Sequence, residues 1–374
     1  MLTHIKRQNK EAATINRNQF KQIIKSNVFL PAFTYDQNAD VEETFGAHIE
    51  AGANIIVAPT YLYNSEKSKK KVLLDTAKAA GEKAFVAGAV WANPEKTVFS
   101  DGVLSYDAYY KIIKEEVKLI YEAHPVAILF LMGFDTLAEA KYAVYAAKEA
   151  CDLPICLCLD FKDKNVLSDG FDIPTAVITL QSLGISALGV QAENPDAVFD
   201  ILLEMKEFAA VPLFAIPDAS SHIAPYEFAE YAHNYVNNKC VMFAAGKNTD
   251  ERFTAEIAKE LWQAEPFMPD FPTVNAVCGK NNIFFMDFEN NVIGKNKELI
   301  EIDLKGLTQD KEIDEMILKI KSAGLPPVCF NSKELGVLER AMKVYPGRVA
   351  IKSDEYGEIA AKEYGAIILS QGEN

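Results

Sequence analysis

The stretch "KCVMFAAGKNTDERFTAEIAKEL", from Lys239 to Leu261, contains an apolar run, a short loop and a helical segment in immediate succession. The run that begins at Cys240 is apolar throughout instead of alternating, as expected for a strand that is covered on both faces. The segment that ends at Leu261 is interpreted as a helix. The stretch therefore predicts one strand–helix unit of an α/β protein.

Similar apolar runs recur along the chain, with helical stretches between them. They are Asn27 to Phe33, Asn54 to Tyr61, Ala84 to Val90, Val126 to Met132, Leu153 to Phe161, Ile185 to Gln191, Val211 to Pro217 and Cys240 to Lys247. Eight such units within about 250 residues match a closed (β/α)8 barrel, the TIM barrel. A doubly wound open sheet is the alternative.

The helical stretches carry their own start and stop signals. In "DVEETFGAHIEAGA", Val41, Phe45 and Ile49 lie four residues apart and so share one face of a helix. Gly52 then suits the left-handed conformation that ends many helices. Ser105 is the predicted N-cap of the helix in "SYDAYYKIIKEEVKLIYEA".

The pattern changes after the proline-rich stretch "AEPFMPDFPT", Ala264 to Thr273, which predicts a linker. A hairpin with its turn near Asn290 and Asn291 is expected next, followed by helices and short strands. We therefore expect three parts: a polar extension over residues 1–19, a barrel over 20–265, and a small α/β domain over 274–374.

Composition and charge exclude several classes of function. The chain has 374 residues and a net charge of -15, which argues against nonspecific binding to nucleic acid or to anionic membranes. The polar N-terminus lacks the apolar stretch of a signal peptide, and no segment is apolar for long enough to span a membrane. The six cysteines form no CxxC pair, so we expect reduced thiols and a cytoplasmic location.

The first two-thirds of the chain resembles the homocysteine S-methyltransferase family, the barrel that opens cobalamin-dependent methionine synthase. The motifs that carry the resemblance are "HIEAGANIIVAPTYLYN", "FVAGAVWANP", "LSDGFDIPTAVITLQSLGISALGVQAENP" and "VMFAAGKNTDERFTAEIAKEL". The resemblance implies a TIM barrel fold and, as an expectation, a role in methyl-transfer metabolism. It also implies a possible corrinoid or methyl-transfer protein partner.

The zinc-binding positions of that family differ in this chain. The resemblance places three cysteine ligands at Ala192, Ala244 and Ala245, and an acidic residue that grips the amino-acid substrate at Met132. A methyl group cannot ligate zinc. We therefore expect no zinc, no other cofactor, and no zinc-dependent methylation of homocysteine.

Barrel enzymes place their chemistry at the carboxyl ends of the strands, which gives a set of ligand-pocket candidates. The candidates are Thr34, Tyr35, Thr60, Tyr61, Trp91, Asn93, Met132, Asp160, Gln191, Glu193, Asn194, Asp218, His222 and Lys247. A tryptophan at position 91 is expected either to close the pocket or to stack on a flat ligand. Cys156 and Cys158 point to the same face of their strand and are interpreted as small apolar core residues.

Three functions stay open at this point. The first is a divergent family member that binds a different small ligand or a partner. The second is another barrel enzyme in which Asp160, Glu193 and Asp218 hold Mg²⁺ or Ca²⁺, or in which Lys247 neutralises an anionic substrate. The third is a non-catalytic scaffold, with the terminal domain as a docking or dimerisation cap. Within that domain, Ser332 and Lys333 resemble a Ser-Lys pair of the pterin-binding barrel of methionine synthases.

Overall fold

The computed structural model describes residues 17–24, 27–123, 126–161, 166–220, 222–262, 264–265, 274–287, 292–293, 299–352 and 357–369. Eight parallel strands form one sheet in which each strand pairs with the next along the chain. The strands are β1 (Pro31–Ala32), β2 (Ile55–Ala58), β3 (Phe85–Trp91), β4 (Ile128–Phe134), β5 (Ile155–Asp160), β6 (Ala187–Ala192), β7 (Leu213–Pro217) and β8 (Cys240–Phe243).

A backbone bridge closes this sheet. The N–H of Phe29 donates to the carbonyl of Val241 at 2.8 Å, and the N–H of Phe243 donates to the carbonyl of Phe29 at 3.0 Å. These bonds join the chain just before β1 to β8, so the sheet is a nearly closed barrel. The predicted TIM barrel is confirmed, and the open doubly wound alternative is wrong.

Helices cover the outside of the barrel. They are α1 (Arg17–Ile24), α2 (Val41–Glu50), α3 (Glu66–Ala80), α4 (Tyr106–Ala123), α5 (Leu137–Ala150), α6 (Ile173–Gln181), α7 (Pro195–Phe208), α8 (Pro225–Ala229), α9 (Tyr231–Val236) and α10 (Glu251–Glu260). In the part of the chain that the structure describes, no helix has the length and apolar character needed to cross a membrane.

The predicted helix signals are confirmed where the structure describes them. The Asp40 carboxylate accepts from the N–H of Glu43 at 3.0 Å and caps α2, and Gly52 just beyond that helix has φ +113°. The Ser105 hydroxyl accepts from the N–H of Ala108 at 3.2 Å and caps α4. The Asp40 and Ser105 side chains accept from backbone N–H groups that the first turn of a helix leaves unpaired.

Side chains from all around the sheet fill the barrel interior. Phe130 lies edge-on to Phe33 and to Phe214, with ring centroids 5.7 and 5.8 Å apart. Cys156 and Cys158 are fully buried in this same interior cluster, as predicted. Cys240 packs instead in the layer between the strands and the helices. Layered side chains of this kind are the normal content of an eight-stranded barrel.

Helix α1 lies at the amino-terminal end of the barrel, and the sequence pattern did not predict it. Its side chains Phe20 and Ile24 are buried in the interior cluster, and the Phe20 ring lies 6.2 Å from the Phe29 ring. The segment is short and mostly polar, and Phe20, Ile23 and Ile24 are its only apolar side chains. Residues 17–19, assigned above to the polar extension, thus begin a helix that covers the floor of the barrel.

The rest of the chain forms two further sheets. An antiparallel sheet has the order β11–β10–β9, and a parallel sheet has the order β12–β13–β14–β15. Their elements are β9 (Ala276–Gly279), β10 (Asn282–Asp287), β11 (Val292–Ile293), β12 (Ile300–Asp303), α11 (Asp310–Ser322), β13 (Val328–Asn331), α12 (Leu335–Val344), β14 (Ala350–Lys352), α13 (Gly357–Tyr364) and β15 (Ile367–Ile368).

The expected hairpin is found in part. β10 pairs with β11 in antiparallel fashion, whereas β12 leaves the hairpin and pairs in parallel with β13. The predicted turn at Asn290 and Asn291, and most of the predicted linker, lie outside the described residues. β12 joins the parallel sheet because a βαβ unit with α11 buries its apolar neighbour Leu304, which is 1% exposed.

Candidate ligand site at the carboxyl end of the barrel

Three aromatic side chains meet where β1, β2 and β3 end. The Trp91 ring lies 4.5 Å from the Tyr61 ring and 6.2 Å, edge-on, from the Tyr35 ring. The Tyr61 hydroxyl donates to the backbone carbonyl of Thr34 at 2.6 Å, which fixes that ring in place. Tyr35 also stacks on Phe33 below it, with centroids 6.4 Å apart. The aromatic cluster, Tyr35, Tyr61 and Trp91, therefore covers one side of the barrel interior.

The Trp91 indole is held by the neighbouring strand. Gly133 in β4 has φ +71°, and a methyl group at that position would overlap the indole. Met132, which pairs in register with Trp91, is fully buried in the interior cluster. The absence of a side chain at Gly133 thus lets the indole lie flat across β4. The structure holds the Trp91 ring in contact with Tyr61, and both alternatives for this ring, closing the pocket or stacking on a flat ligand, stay predictions.

A polar group faces this cluster from the ends of β6 and β7. The Asp218 carboxylate accepts from the backbone N–H of Lys247 at 2.7 Å and is contacted by the Gln191 side chain. Burial raises the pKa of Asp218, and these hydrogen-bond donors oppose that shift. The loop after β8 comes close enough because Gly246 has no side chain: a methyl group there would overlap an Asp218 oxygen.

Two buried polar atoms at this end have no hydrogen-bond partner among the residues that the structure describes. They are the hydroxyl of Tyr35 and the side-chain oxygen Oε1 of Gln191, a residue that is only 4% exposed. Burial raises the pKa of Tyr35 well above its ordinary value, and the nearby Tyr61, Asp218 and Cys158 raise it further. Tyr35 and Gln191 therefore both interact with Asp218, Gln191 through a side-chain hydrogen bond and Tyr35 electrostatically.

Several other predicted residues are structural at this end. The Thr60 hydroxyl donates to the carbonyl of Ala89 at 2.8 Å, and Asn194 caps α7 by accepting from the N–H of Ala197 at 2.9 Å. The Asn93 side chain accepts from the N–H of Glu95 at 2.9 Å. Thr60 thus ties its loop to β3, whereas Asn93 and Asn194 make hydrogen bonds to nearby backbone N–H groups. These bonds use part of the hydrogen-bonding capacity of the three side chains.

The charged residues do not converge as the metal hypothesis expects. Glu193, His222 and Lys247 are exposed, and it is the backbone of Lys247, not its ammonium, that binds Asp218. Across the described residues, no three His, Cys, Asp or Glu side chains are placed to hold a metal ion together. The predicted set of Asp160, Glu193 and Asp218 is therefore not such a group, because Glu193 points to solvent from the residue beyond β6.

Comparisons with known proteins identify the family. The sequence profile of the homocysteine S-methyltransferases matches residues 1–261. The chain belongs to this family. No curated protein sequence matches the chain.

Solved structures agree with the fold of the family. The homocysteine methyltransferase MmuM from Escherichia coli in its apo form has a TM-score of 0.55 at 15% identity, covering 66% of this chain and 100% of that chain. Its metallated form has a TM-score of 0.52 at 14% identity, covering 64% of this chain and 98% of that chain. At this level of identity the likeness shows the barrel fold alone.

The three positions that the resemblance assigns to zinc ligands are buried alanines. Ala244 packs in the barrel interior, whereas Ala192 and Ala245 pack in the layer between strands and helices. Ala192 follows the inward-facing Gln191 in β6, and neighbouring residues of a strand point to opposite faces. Methyl groups offer no electron pair to a metal ion, so these side chains do not fit zinc.

The cysteine thiols nearest the site do not replace the missing zinc ligands. Cys156 and Cys158 are fully buried, and burial raises the pKa of both. Asp160 and Asp218 raise the pKa of Cys158 further. A cysteine that is reactive or binds a metal needs the opposite environment, one that lowers its pKa.

Sequence reasoning missed two members of the site. Phe33 supports Tyr35 from below, and Cys158 lies close enough to Tyr35 to raise the pKa of the Tyr35 hydroxyl. The alternation of Cys156, Cys158 and Asp160 along β5 contained a signal, because residues two apart share a face. This alternation places Cys158 directly below Asp160, the polar residue that ends β5, on the same face of the strand.

Proposed function

We propose that this member of the homocysteine S-methyltransferase family does not methylate homocysteine through zinc. In this proposal the carboxyl end of the barrel binds a different small ligand, or a corrinoid or methyl-transfer protein docks there. The observation that carries the proposal is the presence of alanine at positions 192, 244 and 245, with no side-chain donor for a metal ion.

The chemical reason lies in the acceptor sulfur. A free thiol has a pKa near ~8.5 and is mostly protonated at neutral pH, whereas the thiolate is the nucleophile. A bound metal ion lowers the pKa of a coordinated thiol and so supplies the thiolate. A site without metal ligands lacks this means of activation, and the pKa values of Cys156 and Cys158 are raised, not lowered.

The aromatic cluster supports the part of the proposal in which the barrel binds a different small ligand. Trp91 and Tyr61 lie in contact, and Met132 takes the position where the resemblance expects an acidic residue for the amino acid. A site of this shape and polarity differs from one that holds a zwitterionic amino acid. We infer that its ligand has another charge distribution.

Two other functions each have one supporting observation. The raised pKa of Asp218 suits a general base, which favours a barrel enzyme that uses Asp160, Glu193, Asp218 and Lys247. The packing of Trp91 against Tyr61 favours a scaffold without a ligand. Stoichiometric Mg²⁺, Ca²⁺ or Mn²⁺ in the purified protein would support the metal-dependent barrel enzyme over our proposal.

The test measures metal content and methyl transfer together. The full chain, purified without chelators, is analysed by plasma mass spectrometry and assayed for methionine formation from homocysteine with a sulfonium methyl donor. Escherichia coli MmuM is the positive control. We expect substoichiometric zinc and no methionine above background; one zinc per chain with chelator-sensitive methionine formation would refute the proposal.

A further inference from the structure

The carboxyl end of the barrel carries buried polar atoms that suit a bound ligand. The Tyr35 hydroxyl and Gln191 Oε1 are both buried without a hydrogen-bond partner. A buried polar atom left unsatisfied is destabilising, so native proteins satisfy nearly all such atoms with protein, water or ligand. Two of them beside one carboxyl group mark a place for a bound molecule.

Gln191 Oε1 and the Asp218 carboxylate at this place accept hydrogen bonds, and the Tyr35 hydroxyl can accept as well as donate. Gln191 contributes its unpartnered oxygen, and Asp218 contributes a carboxyl group whose contact with Lys247 uses a backbone N–H. Among the described groups to which the pKa of Asp218 responds, Lys247 is the one cation, and its side chain is exposed. A ligand that brings hydrogen-bond donors and positive charge fits these groups, and a carboxylate does not.

The aromatic cluster supports the same charge preference. The face of an aromatic ring carries negative potential, so cations within about 6 Å of a Trp or Tyr ring are attracted to it. The Tyr35 ring lies 6.2 Å from Trp91 and 6.5 Å from Tyr61, and its hydroxyl lies near Asp218. The aromatic cluster and the carboxyl group therefore lie at the same end of the barrel, and Tyr35 interacts electrostatically with Asp218.

We propose that the carboxyl end of the barrel binds a small aliphatic ammonium compound that carries no carboxylate. Its N–H groups donate to Gln191 Oε1 and to the Asp218 carboxylate, and its alkyl part lies against Tyr35 and Trp91. This inference rests on the proposed function, since it names the ligand of the zinc-free site.

The experiment uses Trp91 as a reporter. The chain has two tryptophans, and Trp262 is 83% exposed, so Trp262→Phe leaves Trp91 as the fluorophore. This variant is titrated with matched sets of a linear primary amine, alcohol and carboxylate, from two to six carbons, at neutral pH and constant ionic strength. Calorimetry on the unsubstituted chain with the same compounds detects binding that leaves the indole emission unchanged.

We expect saturable binding of at least one amine, about tenfold tighter than the matched alcohol, since a hydrogen bond to a charged group contributes about 1.5–3 kcal/mol. The matched carboxylate should not bind. Asp218→Asn should weaken the amine about tenfold, because the amide still accepts from Lys247 but carries no charge.

The matched control is Glu95→Gln, which removes one negative charge from the loop after β3, at the same end of the barrel and at an exposed position. Amine affinity should be unchanged in that variant. Equal affinity for amine and alcohol, preferential binding of carboxylates, or no amine binding by either method would each overturn the inference. None of these results depends on the zinc and methyl-transfer assay, so the two proposals fail independently.

Discussion

The side-chain ammonium of Lys141 on α5 donates a hydrogen bond to the backbone carbonyl of Tyr345, 2.8 Å away, and the two residues are 204 positions apart in the chain. A second bond runs to the carbonyl of Gly347 at 2.9 Å. Lys141 is 2% exposed, and burial lowers its pKa to about 7. A barrel helix is thus joined to the segment between α12 and β14 by a buried lysine whose two acceptors are neutral.

This lysine should make stability depend on pH. Its pKa is lower in the folded than in the unfolded chain, so between pH 7 and about 10 the unfolded chain binds the additional proton and stability rises with pH. Relative to Lys141→Met, the unsubstituted chain should gain up to about 1.4 kcal/mol per pH unit in this window. Urea unfolding at about pH 7, 8 and 9 measures the difference. Lys111→Met, whose side chain is 74% exposed, is the control and should show no such trend.

Asp169 should produce the opposite slope in a lower window. Its Oδ2 accepts from the N–H of Leu137 at 2.8 Å at the start of α5, its Oδ1 is buried without a partner, and burial raises its pKa to about 7. The folded chain therefore holds the additional proton between about pH 4 and 7, and stability falls as pH rises through that range. Asp169→Asn should flatten this dependence in urea unfolding.

The control for this variant is Asp172→Asn. Asp172 also caps a helix, accepting from the N–H of Thr175 at 3.0 Å, so the amide substitution tests capping alone. An equal change of pH dependence in both variants would contradict the role assigned to the Asp169 proton.

Arg340 should contribute more to stability than an exposed arginine with a similar partner. Its guanidinium binds Asp107 on α4 at 2.7 Å and Asp314 on α11 at 2.6 Å, and its side chain is 7% exposed. We expect Arg340→Met to cost about 2–3 kcal/mol in the free energy of unfolding, because hydrogen bonds to charged groups are lost and two carboxylates are left near one another.

Arg252→Met is the matched control. Arg252 binds Asp250 at 2.6 Å with a side chain that is 73% exposed, and exposed pairs contribute about 0–1 kcal/mol. Urea midpoints of the two variants compare them directly. Equal losses would show that the connection between α4 and α11 adds nothing beyond a surface ion pair.

Gly133→Ala should displace Trp91. The position has φ +71°, and the added methyl group would overlap the indole. Gly184 has φ +81° with nothing within 4 Å of an added methyl group, so Gly184→Ala carries the backbone strain of about 1–2 kcal/mol without the overlap. Tryptophan fluorescence in the Trp262→Phe background should shift in the Gly133 variant and not in the Gly184 variant. A shift in both would trace the change to backbone strain.

The site was predictable only in part. Barrel topology assigns the carboxyl end of each strand to one end of the molecule, so the predicted set contained Tyr35, Trp91, Gln191 and Asp218. The same rule also admitted Glu193 and Lys247, whose side chains are exposed. Position beyond a strand end does not determine where a loop side chain points, since that depends on the loop conformation and on the packing around it.

The sequence by itself determined the barrel and its family. Apolar strand runs, helix caps and family motifs act over a few residues through backbone hydrogen bonds and side-chain periodicity, which a single chain displays directly. Tertiary structure alone decided that the Tyr35 hydroxyl and Gln191 Oε1 are buried without a hydrogen-bond partner among the described residues, and that Lys141 is buried against Tyr345. The second relationship joins residues 204 positions apart. Both depend on how whole strands and helices pack.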